Sequence, residues 1–334
     1  MSRIKVVVDA MGGDYAPEEP VKGAVLALKE VPDLEVILTG KEELITPVLE
    51  KLDYPKDRLS IVNCREVIVT GEIPVQSIQK KKDSSLVVGF NLLKNGEADA
   101  MVTAGNTGSV LVGGQVVVKK IKGILRAPLA PLFPTEKGVS LLIDCGATVD
   151  ARPEHLVQFA VIGQAYMESI VGIENPKVAL VNIGAEEEKG NALVKETFPL
   201  LAEYAGLNFI GNIEARDIPK GYADVIVTEA FVGNVILKLY EGLASTLIHK
   251  IKDGLMSTTK SKIGAALALP ALKKTLASFD VDIYGGAPLL GLRGLVVKMH
   301  GNSKEVVIKN SILQCIKFKE QDLNGTIAAR LGLQ

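Results

Sequence analysis

Tryptophan is absent from the 334 residues, and all aromatics together make up only 4% of them. A β-sandwich packed on aromatic rings is therefore a poor fit, and aliphatic side chains must fill the core. Cysteine is scarce as well: Cys64, Cys145 and Cys315 are odd in number and form no CxxC pair. That excludes a disulfide framework and points to a reducing, cytoplasmic compartment. Neither charge dominates, with 38 basic against 39 acidic residues and a formal net charge of −1. Nucleic acid is not expected as a partner, since binding it calls for a basic excess or stripe. No apolar run approaches the ~20 residues needed to cross a bilayer. The chain enters its first strand at Ile4 without the build of a signal peptide. A soluble protein, or one peripheral to a membrane, is expected.

Motifs are missing too. No two glycines stand as GxG, so the dinucleotide fingerprint is absent, and there is no GxxxxGK[ST] loop for a nucleoside triphosphate. Neither a GxSxG nucleophile elbow nor an HExxH zinc helix occurs. His155, His249 and His300 are far apart and show no ligand spacing. Cys145 follows Asp144 at a strand end and reads better as small core filler than as a nucleophile. No metal and no cofactor are expected.

What the chain has is glycine, 32 residues of it, and 47% hydrophobic residues. Short aliphatic runs alternate with helical patterns. The strands expected are 4–9, 34–39, 59–63, 98–103, 139–144, 177–182, 207–211, 224–228 and 295–299. Several, such as Val-Ala-Leu-Val at 178–181, are apolar on both faces, as a parallel strand covered on two sides requires. Helices are expected over 17–31, 84–95, 152–171 and 190–205, with Ser84 and Thr107 as N-caps and Gly172 and Gly206 as stops. From Phe231 to Phe279 the pattern becomes two long helices joined across 256–264. The expectation is a mostly parallel sheet between helical layers, a single domain over 1–334 with a helical hairpin at 232–279.

In such sheets ligands bind beyond the carboxyl ends of the strands. Those ends carry Asp9-Ala-Met-Gly-Gly-Asp14, Thr103-Ala-Gly-Asn-Thr-Gly108, Asp144-Cys-Gly146, Asn182-Ile-Gly184 and Thr228-Glu-Ala-Phe-Val-Gly-Asn234. Small and amide residues let backbone N–H groups approach an anion at the positive end of a helix. Glycines at strand ends also serve simply to turn the chain. The loop Gly105-Asn-Thr-Gly108, with amide and hydroxyl donors ahead of a helix, favours phosphate.

At these loops the sequence resembles the bacterial phosphate acyltransferases, which convert acyl-acyl carrier protein and phosphate to acyl phosphate. The resemblance spans nearly the whole chain. It rests on Asp9-Ala-Met-Gly-Gly-Asp-Tyr-Ala-Pro17, Lys81-Lys-Asp-Ser-Ser85, Ala104-Gly-Asn-Thr-Gly108, Asn182-Ile-Gly-Ala-Glu-Glu-Glu-Lys-Gly-Asn191, Phe231-Val-Gly-Asn-Val235 and Tyr284-Gly-Gly-Ala-Pro-Leu-Leu-Gly291. The chain departs from the family at Tyr15, where His is usual, at Glu229-Ala230, where Asp-Gly is usual, and at Leu125-Arg-Ala-Pro128. The resemblance implies a three-layer α/β/α fold related to phosphate acetyltransferases and isopropylmalate dehydrogenases. It also implies a homodimer and a place in phospholipid synthesis, with a membrane acyltransferase downstream.

The chemistry so implied asks little of the protein, because phosphate is a ready nucleophile and a thioester is activated. The protein must position the two and stabilise an oxyanion. The expected catalytic residues are Lys189, for charge neutralisation, and Asn234, as an amide donor. Asp9, Gly12, Gly13, Gly105, Asn106, Thr107, Gly108, Gly184, Gly233 and His300 are expected to bind phosphate or acyl group. Lys80, Lys81 and Lys82 are candidates for a basic rim facing the carrier protein. The apolar stretch Ile263–Leu272 lies between Lys260, Lys262 and Lys273, Lys274. That pattern suits contact with an anionic membrane surface through Ile263, Leu267 and Leu269. Rival functions are a coenzyme A-dependent phosphate acetyl- or butyryltransferase, a dehydrogenase of the related fold, and a non-enzymatic membrane scaffold.

Overall fold

A computed structural model describes residues 3–277 and 281–333. In chain order the first elements are β1 (Ile4–Asp9), α1 (Glu18–Glu30), β2 (Leu34–Gly40), α2 (Glu42–Leu49), β3 (Leu59–Asn63), α3 (Pro74–Lys80), α4 (Ser85–Lys94), β4 (Ala100–Thr103) and α5 (Thr107–Gly113). There follow β5 (Leu132–Thr135), β6 (Gly138–Ile143), α6 (Pro153–Tyr166), β7 (Val178–Asn182), α7 (Ala192–Ala202), β8 (Phe209–Glu214), β9 (Val225–Val227), α8 (Ala230–Met256) and α9 (Thr259–Ala277). The chain closes with β10 (Ala287–Pro288), β11 (Leu295–Lys298), α10 (Glu305–Glu320) and α11 (Leu323–Arg330).

The chain forms two compact units. The first holds residues 1–131, 161–176 and 282–334, and the second 132–160 and 177–281. Each has its own sheet, where the sequence suggested one. The first sheet has the order β10-β11-β4-β1-β2-β3, and the second β5-β6-β9-β7-β8. Pairing is parallel except where β10 meets β11 and β5 meets β6. The alternation of strands and helices is the same in both units, so it does not mark the point where one sheet ends. β5 and the two-residue β10 were missed because each contains a proline, Pro134 and Pro288, which reads as a strand breaker.

The core of the first unit is aliphatic, as the shortage of aromatics required. Val6, Val7 and Val8 of β1 and Ala100, Met101 and Val102 of β4 are fully buried. Helix α1 buries Val21, Ala24, Val25 and Leu28 and packs closely on α10, where a Cβ on Gly23 would lie 2.6 Å from Ile308 Cβ. Burying each such Val, Leu or Ile contributes roughly 1.5–3 kcal/mol.

In the second unit Phe133, Leu142, Ala179 and Ile226 form a core against which Val232, Ile236, Leu237 and Tyr240 of α8 pack. Beyond Tyr240 helix α8 leaves that core. By length and composition it is the one helix among the described residues long and apolar enough to cross a membrane. The sheet covers its first turns.

The helix boundaries follow local chemistry. Ser84 caps α4 as expected, its Oγ accepting from Val87 N–H at 3.4 Å. Gly172 ends the helix begun by α6 in a left-handed conformation, φ 86°. Two expectations are corrected. The cap of α5 is Asn106 rather than Thr107, because the Asn106 carboxamide oxygen reaches Ser109 N–H at 2.9 Å. Helix α7 stops at Ala202, before Gly206, which serves the following turn. The hairpin joint is also shorter than the sequence suggested. Thr258 Oγ1 accepts from Ser261 N–H at 3.1 Å and starts α9 at once, so only Ser257 and Thr258 connect the helices. Residues 259–264 thus belong to α9, and Phe279, at the expected end of the hairpin, lies outside the described residues.

Candidate functional site

Each unit has a point where the strand order reverses. In the first unit the chain runs from β1 outward to β2 and β3, then returns to place β4 on the other side of β1. The loops after β1 and β4 are therefore neighbours at a topological switch point, where open α/β sheets bind ligands. The contact is close. A Cβ on Gly12 would stand 2.7 Å from both Asp9 Oδ2 and the backbone nitrogen of Gly105, so only glycine admits this approach.

Asp9 underlies both loops. Thr103 Oγ1 donates to its Oδ2 at 2.7 Å, and Met11 N–H donates to its Oδ1 at 3.2 Å. Ser85 supplies a further hydrogen bond, and the ammonium of Lys298, on β11, lies near enough to favour the anion. Burial outweighs these and pushes the Asp9 carboxyl above its ordinary value. Asp9 is enclosed at 3% exposure, so its place is beneath the loops. Thr103 and Ser85 were quoted from sequence only within their motifs, with no role at Asp9, and Lys298 was not singled out. The available signal was Lys298, a charge closing the apolar strand Leu295-Val-Val-Lys298.

Above Asp9 the helix beginning at Thr107 presents free donors. Gly105 N–H turns inward to Thr103 Oγ1 at 3.0 Å, and Ser109 N–H is taken by the Asn106 cap. The N–H groups of Asn106, Thr107 and Gly108 have no partner among the described residues. Three unmet donors at a helix start suit a phosphate oxygen cluster. The glycine pair Gly12–Gly13 borders this loop, and Asp14 N–H donates to Gly301 O at 2.7 Å. His300, exposed beside Gly301, is thereby brought near the same loops.

The second unit repeats the arrangement with different side chains. β7 pairs with β8 on one side and with β9 on the other, so the loops after β7 and β9 flank another switch point. The β7 loop is pinned by Asn182, whose Nδ2 donates to Lys189 O at 3.1 Å, and by Asn212, whose Nδ2 donates to Glu186 O at 3.2 Å. Gly184 and Lys189 share this loop, and the lysine stem folds over the glycine. The Lys189 ammonium is 47% exposed and sits 2.8 Å from Glu186. That hydrogen bond holds the lysine above its ordinary value and the Glu186 carboxyl below its own. Lys189 is a fully charged group on a positioned loop.

After β9, Glu229 caps α8 by accepting from Phe231 N–H at 2.6 Å and Val232 N–H at 2.9 Å. Gly233 has its N–H committed to Glu229 O at 3.0 Å, so it offers no backbone donor to a ligand. Its missing side chain instead admits the Asp144 carbonyl, with which any Cβ would collide. Asp144 in turn binds three backbone donors, from Gly146, Ala147 and Thr148. Asn234 is exposed on the first turn of α8. Cys145 is buried, and burial pushes its thiol well up, which makes it unreactive. Among the described residues no three His, Cys, Asp or Glu side chains are grouped to hold a metal ion.

A family model described as a fatty acid synthesis protein matches residues 4–325. A phosphate acyltransferase of Alkaliphilus oremlandii is 51% identical over 317 residues, covering 95% of this chain and 94% of that protein. A putative phosphate acyltransferase of Clostridium perfringens is 45% identical over 328 residues, covering 98% and 97%. Among solved structures, the EutD phosphotransacetylase of Staphylococcus aureus aligns with TM-score 0.61 at 17% identity over 96% of this chain and 94% of its own. A 4-hydroxythreonine-4-phosphate dehydrogenase of Salmonella typhimurium aligns at 0.51 and 12%, over 95% and 99%. At such identities the structural likeness speaks for the fold alone, which is the mostly parallel α/β architecture expected. The sequence relatives carry more, because each match spans nearly the whole of both chains: the chain belongs to the phosphate acyltransferases and is an acyltransferase.

Proposed function

We propose that this acyltransferase moves a long-chain fatty acyl group from acyl-acyl carrier protein to inorganic phosphate, giving an acyl phosphate for phosphatidic acid and phospholipid synthesis. The observation that carries the phosphate half of the reading is the set of unpartnered N–H groups at Asn106, Thr107 and Gly108. Phosphate held there keeps one oxygen free as nucleophile. Attack on the thioester carbonyl forms the C–O bond and moves the carbonyl π pair onto oxygen. Collapse of that oxyanion expels the carrier thiolate, which is protonated by solvent. That oxyanion needs a positive charge and a hydrogen-bond donor, and Lys189 and Asn234, both on the second unit, are our candidates for those roles. No side chain is acylated, and no nucleotide or metal is required.

The alternative donor is coenzyme A, as in a phosphate acetyl- or butyryltransferase. Donor choice is tested by steady-state kinetics with the same acyl chain on either carrier. The proposal expects kcat/KM for the carrier-protein thioester to exceed that for the coenzyme A thioester by about a hundredfold, and the reverse order would replace it with the alternative. We place the enzyme in the cytoplasm, as a homodimer touching an anionic membrane surface. A long-chain acyl phosphate is poorly soluble and gains from release into the bilayer, toward a membrane acyltransferase.

A further inference from the structure

The segment that follows the phosphate loop's helix carries charge of one sign. Lys119, Lys122 and Arg126 are exposed. An antiparallel bridge from Lys120 to Leu292 sets Arg293, also exposed, against them, with Arg293 N–H donating to Lys119 O at 2.9 Å. No acidic residue occurs between Asp99 and Glu136, nor between Asp282 and Glu305. Among the described residues none of these cations enters an ion pair. Lys120 donates to Leu125 O at 2.6 Å and is held below the ordinary lysine value, first by burial and then by the nearby Arg126 charge. Val116 and Leu125 expose apolar surface in the same segment, Val116 at 63%. Uncompensated cations interleaved with exposed aliphatic groups are the makings of an interface for an acidic protein.

The other cationic candidate is largely occupied. Lys81 donates to Glu72 at 2.6 Å and to Val67 O at 2.7 Å, and Lys82 donates to Ile78 O at 3.0 Å.

We propose that Lys119, Lys122, Arg126 and Arg293 form the surface on which an acidic carrier protein docks. The proposal rests on the carrier-protein reading above and adds the place of contact. Spacing supports it. The α5 helix and the π turn that continues it run from Thr107 to Val118, from the free N–H groups to the foot of the cationic segment. At about 1.5 Å per residue that is on the order of 18 Å. A carrier protein presents its thioester on a flexible arm, so its body must dock an arm's length from the reacting centre. A membrane surface would impose no such spacing.

The test combines Lys119→Glu, Lys122→Glu and Arg126→Glu, all exposed positions, with the melting temperature as a check on folding. If reversal disturbs the fold, the neutral Lys119→Gln, Lys122→Gln pair tests the same direction. KM for the acyl-carrier protein is expected to rise about tenfold or more at nearly constant kcat, and its dependence on salt to flatten. Lys80→Glu, Lys82→Glu should leave KM unchanged. An unchanged KM in the folded triple variant, with wild type active on the carrier-bound substrate, overturns the docking surface and leaves the donor reading standing. A wild-type enzyme active only on acyl-coenzyme A overturns both. Loss of binding to anionic vesicles at constant KM would make the patch a membrane surface, and the proposal would fall.

Discussion

Lys189 and Asp9 are both charged residues in the site loops, and their surroundings assign them opposite roles. Lys189 is half exposed and cationic, and its partner Glu186 is the group an incoming anion would have to displace. Lys189→Ala and Asn234→Ala should each lower kcat on the order of a hundredfold without loss of melting temperature, since both residues are exposed. Near-normal turnover in both folded variants would remove them from the mechanism. Asp9 is enclosed, and its raised carboxyl makes proton binding favour the folded state. That contribution is full below the ordinary carboxylate value of 3.8 and fades as the pH rises through the folded value. Asp9→Asn is therefore expected to melt no lower than wild type near neutral pH, and to lose any margin over it as the pH is lowered. Thermal melts of both proteins across that range check the sign, and a constant gap at every pH would contradict it. The strand-end position of Asp9 was legible in the sequence. Its pairing with Thr103 and Lys298 was not, because they meet it only through the strand order β11-β4-β1, and Ser85 reaches it from the start of α4.

The element that carries Asn234 is α8. Its first turn was legible as a site element from Gly233-Asn234, but the role of Gly233 was not. Its glycine is required by the Asp144 carbonyl of the neighbouring loop, a contact that depends on β6 and β9 being paired. Gly233→Ala should cost about 1–3 kcal/mol by forcing that approach apart, measurable by chemical denaturation. A variant as stable as wild type would refute the packing account. Further along, the hairpin exposes the side chains the sequence singled out, Ile263, Leu267 and Leu269, with Leu267 at 81%. They lie on the body of α9 rather than at the joint, because Thr258 starts that helix early. The side chain of Lys274, part of the expected cationic collar, lies outside the described residues. Flotation with anionic liposomes should carry the wild-type protein upward and leave the Leu267→Glu, Leu269→Glu variant behind. Equal flotation of the two would end the membrane role of this face.

At the scale of the molecule, two units carry two sets of loops, each at a reversal of strand order. The sequence revealed the parallel strands through runs such as Val178–Asn182, buried along their whole length. It concealed the division into two sheets, since helices α4 and α7 look alike whichever sheet they cover. The chain's acyltransferase activity follows from its family, whereas the donor and the path of the phosphate are open to direct measurement. That measurement mixes the protein with acyl-acyl carrier protein and phosphate in the presence of a chelator and without nucleotide, then adds hydroxylamine to capture any acyl phosphate. The account predicts a hydroxamate whose formation requires phosphate and enzyme and runs on the order of a hundredfold more slowly in Lys189→Ala. Absence of hydroxamate with the wild-type enzyme, or its appearance only when a divalent metal or a nucleotide is supplied, would contradict the account.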